Sequence, residues 1–428
     1  MTGPGYDRRV TIEILPHRER AALRDAWLEE RLTDLVPRLM AEHGIDAWVL
    51  AAREYNEDPA LLTMLPATWM AARRRTILAF TDGGRSRAAV SRYAVGDAFP
   101  GIWDPESEPD QWARLAEHLV QADPERIAVD RSPGSAFGDG LSAAEHDAMV
   151  AALPERLRDR LVSAEDLAIG WLETRIPAER EAYRGVCAAA HEILAEGLSG
   201  RVILPGSTTT DDLEWWFRDR VAGLGLGTWF HPTVSVQRAG GAGRESFAAP
   251  PPDTTIEPGD LIHVDFGIVY LGLHTDMQQH AYVLRPGETA PPAGLVDGLA
   301  AGNRLQDVLL AEFAEGRTGN EILAAARASA QREGIRPTIY THPIGFHGHG
   351  AGPTIGLWDR QDGVPGAGDR PVRRSTAYSI ELSAAVDVPE WDGKTVSIML
   401  EEEAFFDGER IDWIDGRQTE LHLVASSG

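Results

Sequence analysis

The sequence predicts a two-domain α/β chain, the second domain of the α+β kind, and three observations carry that prediction. Helix and strand patterns alternate through the first part of the chain, and the composition shifts between Ser163 and Ala178. Beyond that shift an order of helix, helix and strands occurs twice. The 428 residues suit two or three domains at roughly 150 residues each.

In residues 17–43, Leu23, Trp27, Leu32, Leu35 and Leu39 recur among charges at helical spacing, and Gly44 ends the pattern. Ile45–Ala52 follows as a strand. Short β-rich runs come at Thr76–Phe80, Ala88–Tyr93 and Ile127–Asp130, with helical stretches near 110–122 and 141–160. Pro177 can open a helix at its first turn, reaching about Leu198. A second helix is expected from Thr209 to Leu224, and strands at 231–237 and 260–283. Helices at 293–315 and 319–332 and strands at 376–384 and 396–406 complete the second round.

Lys and Arg number 41 against 66 Asp and Glu, a net charge of −25. Phosphate binding needs a basic face, so nucleic acid and anionic membrane are disfavoured as partners. Cys187 is the only cysteine, which excludes an intrachain disulfide and a Cys-rich zinc site and favours a reducing cytoplasm. No run approaches the ~20 apolar residues of a membrane span. Met1–Pro16 carries Asp7, Arg8 and Arg9 in place of an apolar signal region. A cytoplasmic protein is expected.

The most informative segment runs from Asp260 to Asp276. Two apolar-rich runs flank Tyr270-Leu271-Gly272, which suggests a hairpin whose turn is centred between Tyr270 and Leu271. In that register Asp265 and Asp276 face each other, with Cβ atoms roughly 4.5–5.5 Å apart. Like charges so close require a proton on one or a cation between them; otherwise the two merely flank a surface turn. His263, His274 and His280 would share that face. The Asp-Phe-Gly at 265–267 has no kinase context, since neither a Gly-rich ATP loop nor a His-Arg-Asp loop is present.

Acidic residues also interrupt later strands, at Glu381 after Tyr378-Ser-Ile and at Glu401-Glu402-Glu403 after Val396-Ser-Ile-Met-Leu. A charge on a buried strand is costly unless paired or metal-bound. Upstream lies Thr341-His-Pro-Ile-Gly-Phe-His-Gly-His-Gly-Ala-Gly, with His342, His347 and His349 among glycines. Four carboxylates and an imidazole suit divalent ions such as Mn, Co, Fe or Zn, with bridging carboxylates holding two ions about 3.5–4 Å apart. Such a site performs hydrolysis.

These residues resemble the pita-bread metallopeptidases: methionine aminopeptidase, prolidase, aminopeptidase P and creatinase. The family pattern is Gly-Asp-x-x-x-x-Asp-x-Gly, an Asp eleven residues on, a His in Gly-His-Gly-x-Gly, and two strand glutamates. Here it reads Gly259-Asp260…Asp265-Phe-Gly267, Asp276, Gly348-His349-Gly-Ala-Gly352, Ile380-Glu381 and Leu400-Glu401-Glu402-Glu403. The resemblance implies a creatinase-like N-terminal α/β domain over 1–172 and a pita-bread catalytic domain over 173–428. It implies Asp265, Asp276, His349, Glu381 and Glu402 as ligands of two divalent metal ions. Glu402 is preferred because the family's ligand glutamate precedes an acid and a small residue, as in Glu403-Ala404. His347-Gly-His-Gly fits the histidine motif nearly as well as His349.

Departures accompany the match. Prolidase-like members carry a His about twelve residues before the Asp of the Gly-Asp turn, where this chain has Ser246-Phe-Ala-Ala-Pro. They carry another seven residues past the ligand His, where counting from His349 gives Gly356 and from His347 gives Thr354. Their Asp-Ile-Thr-Arg-Thr becomes Asp276-Met-Gln-Gln-His, replacing an arginine by Gln279. His342 resembles the family's substrate-pocket histidine, and His231 could supply a missing donor. Trp215, Trp216 and Trp229 either line a pocket or belong to the core. Glu381 is implied as proton acceptor. The leading expectation is an Xaa-Pro aminopeptidase- or prolidase-like metallohydrolase cleaving a C–N bond of a small peptide. The alternatives are a specialised small-molecule enzyme on the same fold, a creatinase-like hydrolase or a lyase, and a non-catalytic binding module. A homodimer is implied by resemblance alone.

Overall fold

The computed structural model describes residues 13–241 and 252–425. Ser246–Pro250, the stretch compared with the family's upstream histidine, lies outside the described residues. The chain divides into one compact unit, Leu15–Ile176, and a second from Pro177 onward. The division falls after the helix Glu165–Glu173 and directly before the helix Pro177–Gly197. No helix among the described residues is long and apolar enough to cross a membrane.

The first unit is built on strands β1 (Ala47–Arg53), β2 (Arg75–Thr81), β3 (Ser86–Val90), β4 (Ile127–Val129) and β5 (Leu161–Ser163). Their order is β3-β2-β1-β4-β5, antiparallel on one side of β1 and parallel on the other. Alternate residues Ala47, Val49 and Ala51 pack against Trp112, Leu115 and Leu119 of the helix Gln111–Ala122. The helical stripe at 17–43 is not one regular α-helix: a π-helical turn, Arg31–Leu35, separates His17–Glu30 from Val36–Glu42. Pro37 has no amide to donate to the carbonyl of Thr33, so the regular ladder cannot continue there. The stretch at 141–160 likewise breaks at Leu153-Pro154, between Ala143–Ala152 and Glu155–Arg158.

A buried acid pair lies in this unit. Asp130 Oδ1 accepts from Trp48 Nε1 at 2.8 Å, and Asp58 Oδ1 from the Leu61 amide at 2.8 Å. Burial and then the charge of Asp58 push the Asp130 carboxyl well above its usual range; burial also raises Asp58. The pair is held by a shared proton.

The second unit contains β6 (Thr233–Gln237), β7 (Leu261–Phe266), β8 (Val269–Tyr270), β9 (Leu273–His274), β10 (Met277–Val283), β11 (Arg336–Ile339) and β12 (His342–Ile344). Strands β13 (Thr376–Ser379), β14 (Leu382–Val388), β15 (Lys394–Leu400), β16 (Glu403–Phe406), β17 (Ile411–Trp413) and β18 (His422–Val424) follow. They form sheets β18-β10-β7-β6, β11-β14-β15, β12-β13-β16-β17 and the small β8-β9 pair. The helix pairs are Pro177–Gly197 with Thr210–Gly223, and Ala293–Leu310 with Gly319–Arg332. The second helix of each pair opens with a capping box, Thr209 with Asp212 and Thr318 with Glu321.

Two features of the sheets set the site. Each long run expected at 376–384 and 396–406 is split between sheets, so β14 pairs with β15 in one and β13 with β16 in another. Glu381 and Glu401 sit at those crossings, on the residues between the paired strands. The hairpin register also differs from the one expected. Tyr270 pairs with Leu273, leaving Leu271 and Gly272 at the turn with φ of 57° and 80°. Two positive φ values define the tight hairpin turn, usually marked by Asn-Gly or Asp-Gly, and Leu271 hides that signal. The consequence is that Asp265 stands opposite Gln278, not Asp276, and His263 opposite His280. The aspartates still share a face, two residues apart along the ladder.

Candidate metal centre

Four carboxylates and two imidazoles converge where the strands change sheets. Ligand atoms of Asp265, Asp276 and Glu401 lie within 4.8 Å of one another, as do those of His342, Glu381 and Glu401, and of Asp276, His342 and His349. The backbone at Glu401 is tied to Gln278 by bonds in both directions, 3.0 and 3.2 Å, which brings the hairpin to the β15–β16 crossing. Ser379 Oγ donates to Glu401 Oε1 at 2.7 Å and to the Asp276 carbonyl at 3.1 Å. Burial, followed by the charges of Glu401, Asp265 and Glu381, drives the Asp276 carboxyl well above its usual range. Glu381 is raised for the same reason, with Glu401 and Asp265 as neighbours. Uncompensated, such a cluster must take up protons; a divalent cation removes the penalty.

His342 shows that a cation fits. Its ring is buried, 2 % exposed, at the start of β12. Nδ1 lies 3.0 Å from the Pro343 carbonyl and so carries the proton, leaving the Nε2 lone pair aimed at the acids. Nε2 is 3.4 Å from Glu401 Oε1 and 3.8 Å from Asp276 Oδ2, and it makes no hydrogen bond among the described residues. A backbone carbonyl orienting the far nitrogen is the usual support of a metal-bound histidine.

This placement revises two of the sequence assignments. His342, expected in the substrate pocket, lies inside the cluster. Counting from it resolves a departure: seven residues on is His349. His349 lies beside it, its ring 4.7 Å from that of His342 and 5.2 Å from Trp229. The residue as a whole is exposed, yet its ring is walled in by Trp229, Tyr340 and His342, and that desolvation lowers its pKa to about 4. A Cβ at Gly348 would run into the Trp229 indole, so only glycine permits that wall. His347 lies beside His274, ring centroids 6.5 Å apart, outside the three groups.

Glu401, not Glu402, joins the cluster, because successive strand residues point to opposite faces. Glu402 Oε1 accepts from Gln279 Nε2 at 2.7 Å and from the Gln418 amide at 3.1 Å. Its Oε2 pairs with His191 Nε2 at 2.6 Å, and His191 Nδ1 with Asp415 at 2.8 Å. Although burial lowers it, the two acids, Glu402 first, raise His191 to about 10. The charge missing at Gln279 is thus supplied by His191, from the helix Pro177–Gly197. Glu403 Oε1 accepts from the Asp276 amide at 2.6 Å.

The remaining histidines separate by partner. His280 bonds the Ile262 carbonyl and the Met399 amide, and burial lowers its pKa to about 4, a structural role. His231 pairs with Glu214 at 3.4 Å beside Trp215, and none of its contacts among the described residues is a cluster member. It does not supply the missing donor. Trp229 lines the site, whereas Trp215 is 53 % exposed. A cavity of ≈ 140 Å³ opens beside Asp265, Gln278 and Glu381, walled by Tyr340, Trp358 and Met399. Gln278, Tyr340 and His191 carry no signal in the sequence that marks them for this site.

Long strands that change sheets at acidic residues, between two helix pairs, define the class: a pita-bread catalytic unit following an α/β domain. Residues 180–405, more than half of the chain, match the model of metallopeptidase family M24, and the chain belongs to that family. Among solved structures, the chain is similar to an X-Pro aminopeptidase from Thermotoga maritima, at 17% identity over 90% of this chain and 100% of that one, TM-score 0.65. A dipeptidase from Mycobacterium ulcerans matches at 19% identity over 94% and 99%, TM-score 0.62. An Xaa-Pro dipeptidase from Bacillus anthracis matches at 16% identity over 95% and 100%, TM-score 0.60. At these identities the likeness concerns the fold. No curated protein sequence gives a significant match.

Proposed function

We infer that this chain is a metal-dependent hydrolase that cleaves a C–N bond in a small peptide or peptide-like substrate, with Xaa-Pro peptides the first substrates to try. The observation that carries the reading is His342 Nε2 directed at Asp276 and Glu401, an arrangement that a cation between them satisfies. Asp265, Asp276, His342, Glu381 and Glu401 would hold the metal. Their oxygen-rich donor set with a single imidazole suits Mn, Co, Fe or Zn. The chemistry supplied when such an ion is bound is polarisation of the scissile carbonyl and acidification of water.

The chain's own residues supply the rest. Glu381, opening onto the cavity, accepts the proton of the attacking water and returns it to the departing amine. His349, a neutral imidazole at neutral pH, donates to the carbonyl oxygen as negative charge grows there. Leu382, Met399 and Trp358 give the cavity an apolar wall for a compact side chain or ring. Membership of the metallopeptidase family supports the hydrolase reading.

The test combines metal analysis of protein purified without added salts with a mass-spectrometric panel of Xaa-Pro dipeptides and tripeptides. Bound divalent metal, lost in Asp276→Asn, and cleavage that stops on chelation are expected. Bound metal without cleavage of any panel member removes the proline-peptidase assignment and leaves a specialised small-molecule enzyme. Absence of bound metal under all conditions removes the hydrolase reading.

A further inference from the structure

The two oxygens of Glu401 face different ends of the centre. Oε1 lies on the His342 side, 3.4 Å from Nε2. Oε2 accepts from Gln278 Nε2 at 2.7 Å, and the same nitrogen donates to Glu381 Oε1 at 2.9 Å. A carboxamide nitrogen carries two hydrogens, so both are committed to acids of the cluster. Gln278 Oε1 lies 2.9 Å from His263 Nε2, whose N–H fixes the amide with its nitrogen toward the carboxylates. The side chain is 5 % exposed and stands directly opposite Asp265.

A glutamate that bridges two cations about 3.5–4 Å apart offers one oxygen to each. Here Oε1 of Glu401 accepts from Ser379 and faces the His342 imidazole, while Oε2 is met by the Gln278 amide, whose nitrogen fills the space on that side. We propose that the Gln278 carboxamide stands in the place of a second cation, so that the centre holds a single divalent ion on the His342 side. Asp276, His342, Glu381 and Glu401 hold that ion, and His263 is the positioning residue that keeps the amide turned. This inference rests on the metal-centre reading above and sets its stoichiometry. An amide donates to both glutamates without bringing positive charge, so it meets their hydrogen-bonding needs and blocks the space a second ion requires.

The experiment titrates the full chain, freed of metal by chelation and dialysis, with Mn(II), read by calorimetry, by elemental analysis after gel filtration and by electron paramagnetic resonance. One equivalent is expected, with the hyperfine-split signal of an isolated ion. Two equivalents with the signal of an exchange-coupled pair overturn this inference and leave the metal-centre reading standing. No binding at all overturns both. In Gln278→Thr, which withdraws the amide, the stoichiometry should rise to two and the coupled signal should emerge. Gln278→Glu keeps the volume, adds a ligand and should do the same; it carries the test if the threonine variant does not fold. A folded variant that still binds one equivalent shows that Gln278 is not what excludes the second ion, and the inference falls.

Discussion

His342 Nε2 and Glu401 Oε1 face each other at 3.4 Å, while the other ring nitrogen, Nδ1, lies 3.0 Å from the Pro343 carbonyl. Two acceptors held this way in a buried site repel unless a cation joins them. Both positions are fixed by backbone: His342 through β12 paired with β13, and Glu401 through its two bonds to Gln278.

The histidines can be ranked by that geometry. His342→Ala should weaken Mn(II) binding by about 100-fold or more, since it removes a ligand. His347→Ala should leave binding within a few-fold of the parent. Competition with a fluorescent chelator measures both variants, and equal losses in His342→Ala and His347→Ala would defeat the ranking.

His349→Ala should keep the metal and lose rate. Removing one donor to a developing oxyanion lowers kcat about 10²–10³-fold. The check is kcat on whichever panel peptide is cleaved, taken alongside the metal content. A drop in metal content that parallels the drop in kcat would make His349 a ligand instead.

Neighbouring glutamates should behave oppositely. Glu401→Gln should abolish tight metal binding with a small effect on folding of the apoprotein. Glu402→Gln should keep the metal and destabilise the fold by ~3 kcal/mol, because His191 loses its buried acidic partner. Chemical denaturation of the two apoproteins separates the effects; the reverse pattern would restore Glu402 as the ligand.

The first unit carries its own pH dependence. Asp130 and Asp58 both titrate above their unfolded range, so their contribution to stability is complete below a pH of about 4 and is lost as pH rises through the raised values. Asp130→Asn supplies a permanent donor and should flatten the fall in that unit's stability toward neutral pH. Urea melts of the full chain across that window, followed by intrinsic tryptophan fluorescence, are the measurement; identical pH profiles for parent and variant would exclude the shared proton.

Metal removal should lower the melting temperature of the second unit. Binding to the native state alone contributes about 2.7 kcal/mol at a metal concentration of 100 Kd. Calorimetric scans with and without chelator read the shift, and coincident transitions would count against a preformed centre.

Much of this was legible in the sequence. Helix spacing, Pro177 and the twofold order of helices and strands marked the architecture, and the acids on apolar strands marked Asp265, Asp276 and Glu381. The hairpin register was not legible, because Leu271 occupies a positive-φ turn position that asparagine or aspartate normally announces. Nor was the choice among Glu401, Glu402 and Glu403, since adjacent acids on a strand look alike until their faces are known.

The sequence by itself determined the residue types of the centre and their approximate spacing, since only those chemistries tolerate burial together. Tertiary structure decided which of them meet. Glu401 turns into the cluster and Glu402 away from it because successive strand residues point to opposite faces, and His342 enters because β12 pairs with β13. Gln278 reaches the acids because its backbone is tied to Glu401 from a strand far away in the chain. Such choices depend on long-range pairing, and no local pattern encodes it.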